Sequence, residues 1–440
     1  MKIGFVSRFG DGAALALDAI RDGHEAKIWI QDPHRRHEIF EGMISKVEKY
    51  EDFKGWADLI FFDANHLEKE KLAVQKWGVP LWNGSPEASK LEDDRGFARE
   101  LFEKQSMKPL ISETRKTIEE AIKLIKVEKG LWVTKMVGGD SDSEDVTISE
   151  YEDGQDVIAV LQRYADSGKK YDAVEIEERV IGIEMGCASY YSHGKRVGPI
   201  EISFQHKEPA DGWPGSSRGL GALCGESGTV AVYVTEANKF YKETLGRFSE
   251  YLKKIDFTGE ADIGCMVDEK GVKPLEWTID RPGYPDCFLR RPLAKTSQME
   301  FFHSCAIGKP IEFKTIPGWA CCFLLMTPGF PYQEAVEKHS AGYPVIGYDE
   351  KNINMHLQEV KKGKRSIEVA NGCGYSAVVS GRGDTIESAR RNAHWLVAEA
   401  NPKRLFIPKM AIRADIGLRV IDQLEEIKEL GWMTPEEMLE

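Results

Sequence analysis

Lys135 sits in the middle of an apolar, strand-like run from Leu131 to Val137, directly before the polar stretch Gly138-Gly-Asp-Ser-Asp-Ser-Glu144. A cation fixed on a rigid strand beneath a loop rich in backbone N–H groups suits the phosphates of a nucleotide. Taken alone, Lys135 reads more readily as an edge-strand lysine facing water, since lysines are mostly exposed. Further along, Glu175-Ile-Glu177-Glu178-Arg-Val180-Ile-Gly-Ile-Glu184 ends one strand in acidic residues and repeats a carboxylate after a short turn. Carboxylates and backbone carbonyls at that spacing match the exocyclic amine and the ribose hydroxyls of a nucleoside. A third segment, Glu276-Trp-Thr-Ile-Asp280-Arg281, joins carboxylates to a fixed guanidinium after a buried-looking strand. Magnesium takes oxygen ligands and few protein carboxylates, and an arginine beside it suits charge developing on a transferred phosphoryl group.

The elements that must hold these groups can be read from periodicity. Residues 1–88 alternate apolar strands (Ile3 to Val6, Ala26 to Ile30, Leu59 to Phe62) with amphipathic helices such as Ala13 to Arg21, the pattern of a small parallel α/β unit. A turn at Trp82 to Pro86 leads into one long helix predicted over Ser89 to Gln105. A strand–polar loop–strand unit around Lys135 follows, then a helix over Gln155 to Ser167, several strands to Ile202, and a Gly-rich loop from Trp213 to Gly221. A helix over Glu236 to Ile255 precedes a hairpin turned at Asp268 to Gly271. The last quarter, from Ala320, reads as a separate α+β cap. The expected domains are therefore 1–88, 89–310 with a mobile lid at about 110–180, and 311–440.

With 440 residues, ordinary globular composition and a net charge of −13, the chain is expected to fold into several packed units. The negative charge argues against a nucleic-acid partner, and an anionic ligand requires a local positive site. The start carries no signal-peptide pattern and no window is apolar enough to span a membrane, so no membrane partner and a cytoplasmic location are expected. The scattered cysteines lack paired metal-binding spacing and read as reduced core thiols.

The order of strand lysine, small-residue loop, acidic strand end, Gly-rich loop and terminal carboxylate strand resembles the ATP-grasp superfamily, and within it glycinamide ribonucleotide synthetases (phosphoribosylamine–glycine ligases). Leu81-Trp-Asn-Gly-Ser-Pro-Glu-Ala-Ser-Lys-Leu-Glu92, Glu177-Glu178 with Gly182-Ile-Glu184, Gln205-His-Lys207 and Gly219-Leu-Gly221 carry the resemblance. Gly329-Phe-Pro331, Gly381 to Ala389 and Arg413-Ala-Asp-Ile-Gly417 extend it to about residue 420. The resemblance implies an α/β ATP-grasp fold with an N-terminal parallel pre-ATP-grasp domain and a small C-terminal α+β domain. It also implies an ADP-forming ligase that uses ATP and Mg²⁺ (or Mn²⁺) to join a small carboxylate, such as glycine, to an amine acceptor through an acyl phosphate. The oligomeric expectation is a monomer or homodimer.

By the same resemblance, Lys135 and Arg95 hold phosphates, Glu177 or Glu178 with the Val180 backbone read adenine, and Glu184 takes the ribose. Lys207 and Arg281 join Lys135 as catalytic cations, Arg281 on the substrate carboxylate or γ-phosphate, and Glu276 binds the metal. The departures fall mostly at the substrate end. The family's first loop, Gly-Gly-Arg-Glu-His-Ala-Leu, is here Gly10-Asp-Gly12-Ala-Ala-Leu-Ala, and its Val-Gly-Pro-Glu is Phe61-Phe-Asp63-Ala-Asn65-His66. Its metal-site Asn is Thr278, leaving Asp280 or Asp262 to restore the second oxygen ligand. Two substrate readings stand: glycine with phosphoribosylamine, as in purine biosynthesis, or an amino acid with a different amine. The alternative is a non-catalytic ATP-binding regulatory relative. A dinucleotide site at Gly10-Asp-Gly12 fails, since Leu15 occupies the third glycine position of that motif.

Overall fold

The computed structural model describes residues 1–138, 145–212, 218–282, 286–397 and 404–439. The Asp/Ser-rich loop after Gly138 and part of the Gly-rich loop, residues 213–217, lie outside the described residues. Strands Lys2–Ser7, Glu25–Ile30, Leu59–Phe62, Ser45–Lys46 and Leu81–Trp82 form a five-stranded parallel sheet with Lys2–Ser7 at its centre. The near-continuous apolar strands are what a parallel sheet buried on both faces requires. Ile3, Phe5, Ile28, Phe61 and Phe62 are accordingly sealed from solvent.

A second, four-stranded antiparallel sheet joins Ser112–Arg115, Ala173–Glu178, Trp132–Val137 and Val146–Ile148. Alternation gives it two characters: Met136, Val174 and Ile176 pack against Ala121, Ile125, Val157 and Leu161 of helices Ile118–Val127 and Gln155–Asp166. The register pairs Lys135 with Glu175 and Val133 with Glu177 on the opposite face.

The largest sheet has nine strands and is antiparallel. Strand Ile183–Ser192 lies between Gly259–Asp268 and Ile200–His206, and Gly271–Ile279 forms one edge. The predicted C-terminal cap does not own a separate large sheet. Strand Trp319–Met326 bonds to Gly228–Val234 and then to Tyr375–Gly383, so the sheet runs across the expected boundary at 310/311. The burial of all eight residues of Trp319–Met326 explains its apolar composition.

Two predicted helices are interrupted. The Ser89–Gln105 helix is two, Pro86–Asp93 and Arg95–Lys104, because Asp94 leaves helical geometry and its carboxylate accepts from the Phe97 N–H, capping the second. The Glu236–Ile255 helix divides at Thr244 into Lys239–Glu243, a 3₁₀ turn at Leu245–Phe248 and Ser249–Lys254. This break places Phe248 edge-on to Trp277 at 4.8 Å, while Phe102 stacks on the same indole at 5.8 Å. Trp277 follows Glu276, so this aromatic cluster fixes the strand that carries the candidate metal ligand. Among the described residues no helix is long and apolar enough to cross a membrane.

Candidate active site

The faces of the four-stranded sheet and the large sheet enclose a cavity of about 350 Å³. Lys135, Val133 and Ile148 reach it from the four-stranded sheet. Glu184, Lys207, Met266 and Glu276 reach it from the large sheet, and residues 177–182 run along its edge. The register explains the second set, because Glu184 is opposite Met266 and Gly264 is opposite Glu276 on adjoining strands, so the carboxylates share a face. A bulge between Gly264 and Cys265 inserts Leu275 opposite them, and both Leu275 and Glu276 then border the cavity.

The charges are mutually paired. Lys135 Nζ lies 2.5 Å from Glu177 Oε2, and Arg99 approaches the same carboxylate at 3.5 Å. Lys207 Nζ bridges Glu184 and Glu276, 2.8 Å from each. Lys207 holds the Glu276 carboxyl down at about 2, against the opposing effect of burial. Burial alone would lower Lys207, but the two glutamates outweigh it and raise its pKa well above the usual lysine value. Glu276 is walled by charged neighbours yet its side chain is 56% exposed, because it opens onto the cavity. Arg95 pairs with Glu175, whose carboxyl stays below its ordinary value because Arg95 and Lys135 overcome burial. Glu178 accepts from the Ile111 N–H at 3.3 Å and faces Lys273 at 3.5 Å.

Lys135, Arg95, Glu177, Glu178, Val180, Glu184, Lys207 and Glu276 thus border one cavity. Three expected residues stand apart from it. Asp280 is not beside Glu276: it is fully buried, with a left-handed φ of 61°, and turns toward the N-terminal domain. There it accepts from Lys71 Nζ at 2.7 Å, Ser89 Oγ at 2.9 Å and the Ser85 N–H at 2.9 Å. Those donors leave it no role as a ligand beside Glu276, which corrects the expected metal assignment. Asp262 shares the face of Glu276 but lies opposite Thr278, deeper in the sheet and only 4% exposed. It too is absent from the cavity wall and is not carried forward as a metal ligand.

Arg281 lies beyond the cavity, where Glu92 Oε1 accepts from its Nε at 2.7 Å. Glu92 Oε2 in turn accepts from Asn65 Nδ2 at 3.0 Å and the Ile279 N–H at 3.1 Å. Burial would lower the Arg281 pKa, but Glu92 above all, with Glu276 and Asp11 adding to it, holds it above the ordinary arginine value. Around that loop, Arg35 pairs with Glu359 at 2.6 Å and bonds Cys373 Sγ at 2.8 Å. Asp63 Oδ2 accepts the Gly12 N–H, and Asp63 is only 2% exposed. Burial first, and Asp11 second, push the Asp63 carboxyl up to about 8.

The sequence also missed Arg419, Val420 and Gln423, which border the cavity from the start of helix Leu418–Glu429. Their signal was present in Gly417, which caps that helix in the left-handed conformation, directly after the Arg413–Asp415 ion pair. Arg413 is fully buried and bonds both Asp415 and Glu208, tying this C-terminal element to the loop after strand Ile200–His206.

A parallel α/β unit, a small antiparallel sheet and a large antiparallel sheet with a cavity between the last two define the ATP-grasp fold, and the chain has that fold. No family model matches the sequence. In sequence the chain is similar to the phosphoribosylamine–glycine ligase of Clostridium acetobutylicum, 26% identical over 347 residues, 77% of this chain and 79% of that protein. In structure it is similar to the phosphoribosylamine–glycine ligase of Thermotoga maritima, with a TM-score of 0.66 at 18% identity, covering 94% of this chain and all of that one. The biotin carboxylase domain of the Hydrogenobacter thermophilus 2-oxoglutarate carboxylase, solved with MgADP, ADP and bicarbonate, gives a TM-score of 0.62 at 11% identity, covering 97% and 98% of the two chains.

Proposed function

We propose that this protein is an ATP-dependent carboxylate–amine ligase that forms an amide through an acyl phosphate and releases ADP and phosphate. The observation that carries the reading is the convergence of Lys135, Glu184, Lys207 and Glu276 on one cavity between the two antiparallel sheets. The similarity to phosphoribosylamine–glycine ligases supports it and makes glycine the first carboxylate to test.

In this reading adenine lies in the apolar part of the cavity, between Val133 and Ile148 on one side and Met266 and Leu275 on the other. Glu178 and the Val180 backbone meet its edge, and Glu184 takes the ribose hydroxyls. Lys135 and Arg95 leave their glutamate partners for the phosphates, a simple exchange of one anion for another. Glu276 fits a magnesium ligand: it is anionic at any working pH, and Lys207 meets only its Oε1, leaving the other oxygen toward the cavity. Bound there, Mg²⁺ would neutralise charge on the β- and γ-phosphates.

A carboxylate oxygen attacks the γ-phosphorus, an O–P bond forms, and the bond to the β,γ-bridging oxygen breaks with ADP leaving. The amine nitrogen then attacks the acyl carbon, the C–O bond to phosphate breaks with phosphate taking the electron pair, and nitrogen sheds a proton. Arg281, oriented by Glu92, holds the acid near the phosphoryl group, so catalysis rests on positioning and charge neutralisation.

The test is ADP release by the purified chain with ATP, Mg²⁺ and combinations of amino acids and amines. Release that requires both co-substrates is expected. Tight ATP binding with no release under any combination would replace the ligase with a nucleotide-binding regulator.

A further inference from the structure

Among the described residues, the lysine and arginine side chains that border the cavity are held by carboxylates, with one exception. Arg95 pairs with Glu175, Lys135 with Glu177, Arg179 with Glu150, Lys207 with Glu184 and Glu276, and Arg218 with Glu150. Arg419 is the exception. Among the described residues its guanidinium makes no ion pair and no hydrogen bond, and its Nε is buried without an acceptor. A guanidinium donor taken out of water and left unpaired is costly, and an oxygen brought in by a ligand removes that cost.

The mount that presents Arg419 is fixed at several points. The Gly417 N–H, at the start of helix Leu418–Glu429, donates to His206 Nε2 at 3.3 Å, at the end of the strand that leads into Lys207. Burial above all holds that imidazole down at about 3, so it stays neutral and keeps its acceptor at any working pH. Just before the helix, Asp211 Oδ1 accepts the Ala414 and Asp415 N–H groups at 2.6 and 3.0 Å. With its start held against the large sheet, the helix turns Arg419, Val420 and Gln423 to the cavity, the first and last one turn apart on the same face. Burial, and after it the neighbouring Arg413, lower the Arg419 pKa, and the surrounding carboxylates do not make up the difference. Lys135 and Arg95 must each release a glutamate to take a phosphate. Arg419 has nothing to release, so an anion arriving there gains the whole of a charge-assisted contact.

Resting on the reading of this cavity as a nucleotide site, we propose that Arg419 binds a phosphate oxygen of the nucleotide, so that the C-terminal helix completes a site otherwise built by the two antiparallel sheets.

Calorimetric titration of the intact protein with ADP, AMP and adenosine, without co-substrates, tests it. Arg419→Gln is expected to weaken ADP binding about tenfold, the effect of one lost charge-assisted contact, and to leave adenosine unchanged. Arg419→Lys keeps the charge without the fork and is expected to lose less; it carries the same comparison if Arg419→Gln fails to fold. A loss with AMP equal to that with ADP would support a contact to the phosphate next to the ribose, and a loss with ADP alone a contact to the second. An equal loss for adenosine and ADP would make Arg419 a packing residue. Unchanged ADP affinity, with or without a raised KM for the carboxylate substrate, would mean that water or that substrate satisfies the guanidinium, and either result would overturn the proposal. The titration needs no turnover, so its failure and that of the ligase reading are separable. A chain that binds ADP through Arg419 but releases none from ATP with any acid and amine keeps this contact and loses the ligase; wild type that binds no ADP loses both.

Discussion

Replacing Lys71 by methionine isolates the ion pair that ties the N-terminal domain to the end of the strand bearing Glu276, just before Arg281. Lys71 and Asp280 are both fully buried at 2.7 Å, so neither water nor salt screens them. Removing one partner of such a pair costs about 3–5 kcal/mol, mostly because the remaining charge is left buried without compensation. An unfolding entropy of about 2.1 cal/mol/K per residue gives about 0.9 kcal/mol/K for 440 residues, so Tm should fall by about 3–5 °C if the whole chain melts together.

The deficit should also depend on pH. Burial raises the Asp280 carboxyl above its ordinary value even though Lys71 opposes the shift, and without Lys71 it rises further. A raised carboxyl is neutral at low pH and penalises the fold as pH climbs through its folded pKa, so the deficit should be smaller at an acid pH and larger at an alkaline one. Lys71→Met with Asp280→Asn should recover at least half of it, because asparagine can still accept from Ser85 without a charge. Scanning calorimetry of wild type, both single variants and the double variant at the two pH values measures all of this. A deficit below about 1 °C, or one independent of pH, would refute the assignment of a strongly coupled buried pair.

Lys135→Met should raise the KM for ATP by about 10–100-fold, the range of a lost charge-assisted phosphate contact, with the fold intact by circular dichroism. Glu276→Gln should abolish Mg²⁺-dependent ADP release while ATP-analogue binding without metal persists, and an active variant would remove Glu276 from the metal site. With the Glu276 carboxyl at about 2, below its ordinary value of 4.5, its stabilising effect is complete above the latter and fades only as pH falls through the former. A pH–rate profile should therefore show no acid limb from Glu276 above about pH 5. Asp63→Asn should be more stable than wild type at high pH and similar at low pH, because the raised Asp63 carboxyl opposes folding as pH climbs from 3.8 to about 8. A Tm difference that shrinks with rising pH would contradict that.

The residues that border the cavity were legible because they carry local signals. Lys135 sits in an apolar strand beside small residues, Glu184 follows a tight turn, and Glu276 ends a hairpin whose turn residues are explicit. Alternation along each strand then places them on one face. The substrate side left no such trace, since its partners are remote in sequence: Lys71 with Asp280, Asn65 with Ile279, Arg35 with Glu359. An aspartate four residues from a metal candidate reads as a second ligand until its backbone is known to turn away. The interrupted helices had local causes in Asp94 and Thr244, which helical periodicity masks because the apolar spacing continues through the breaks. The continuation of the large sheet past residue 310 depends on the pairing of Val230 with Cys321, which no local pattern announces.

The central claim is that a carboxylate is activated by phosphorylation in the cavity holding Lys135 and Glu276. With the amino acid that supports ADP release, glycine first, labelled with ¹⁸O in its carboxylate, the account predicts that one labelled oxygen appears in the inorganic phosphate for each amide formed. Amide formation with no ¹⁸O in phosphate would contradict it.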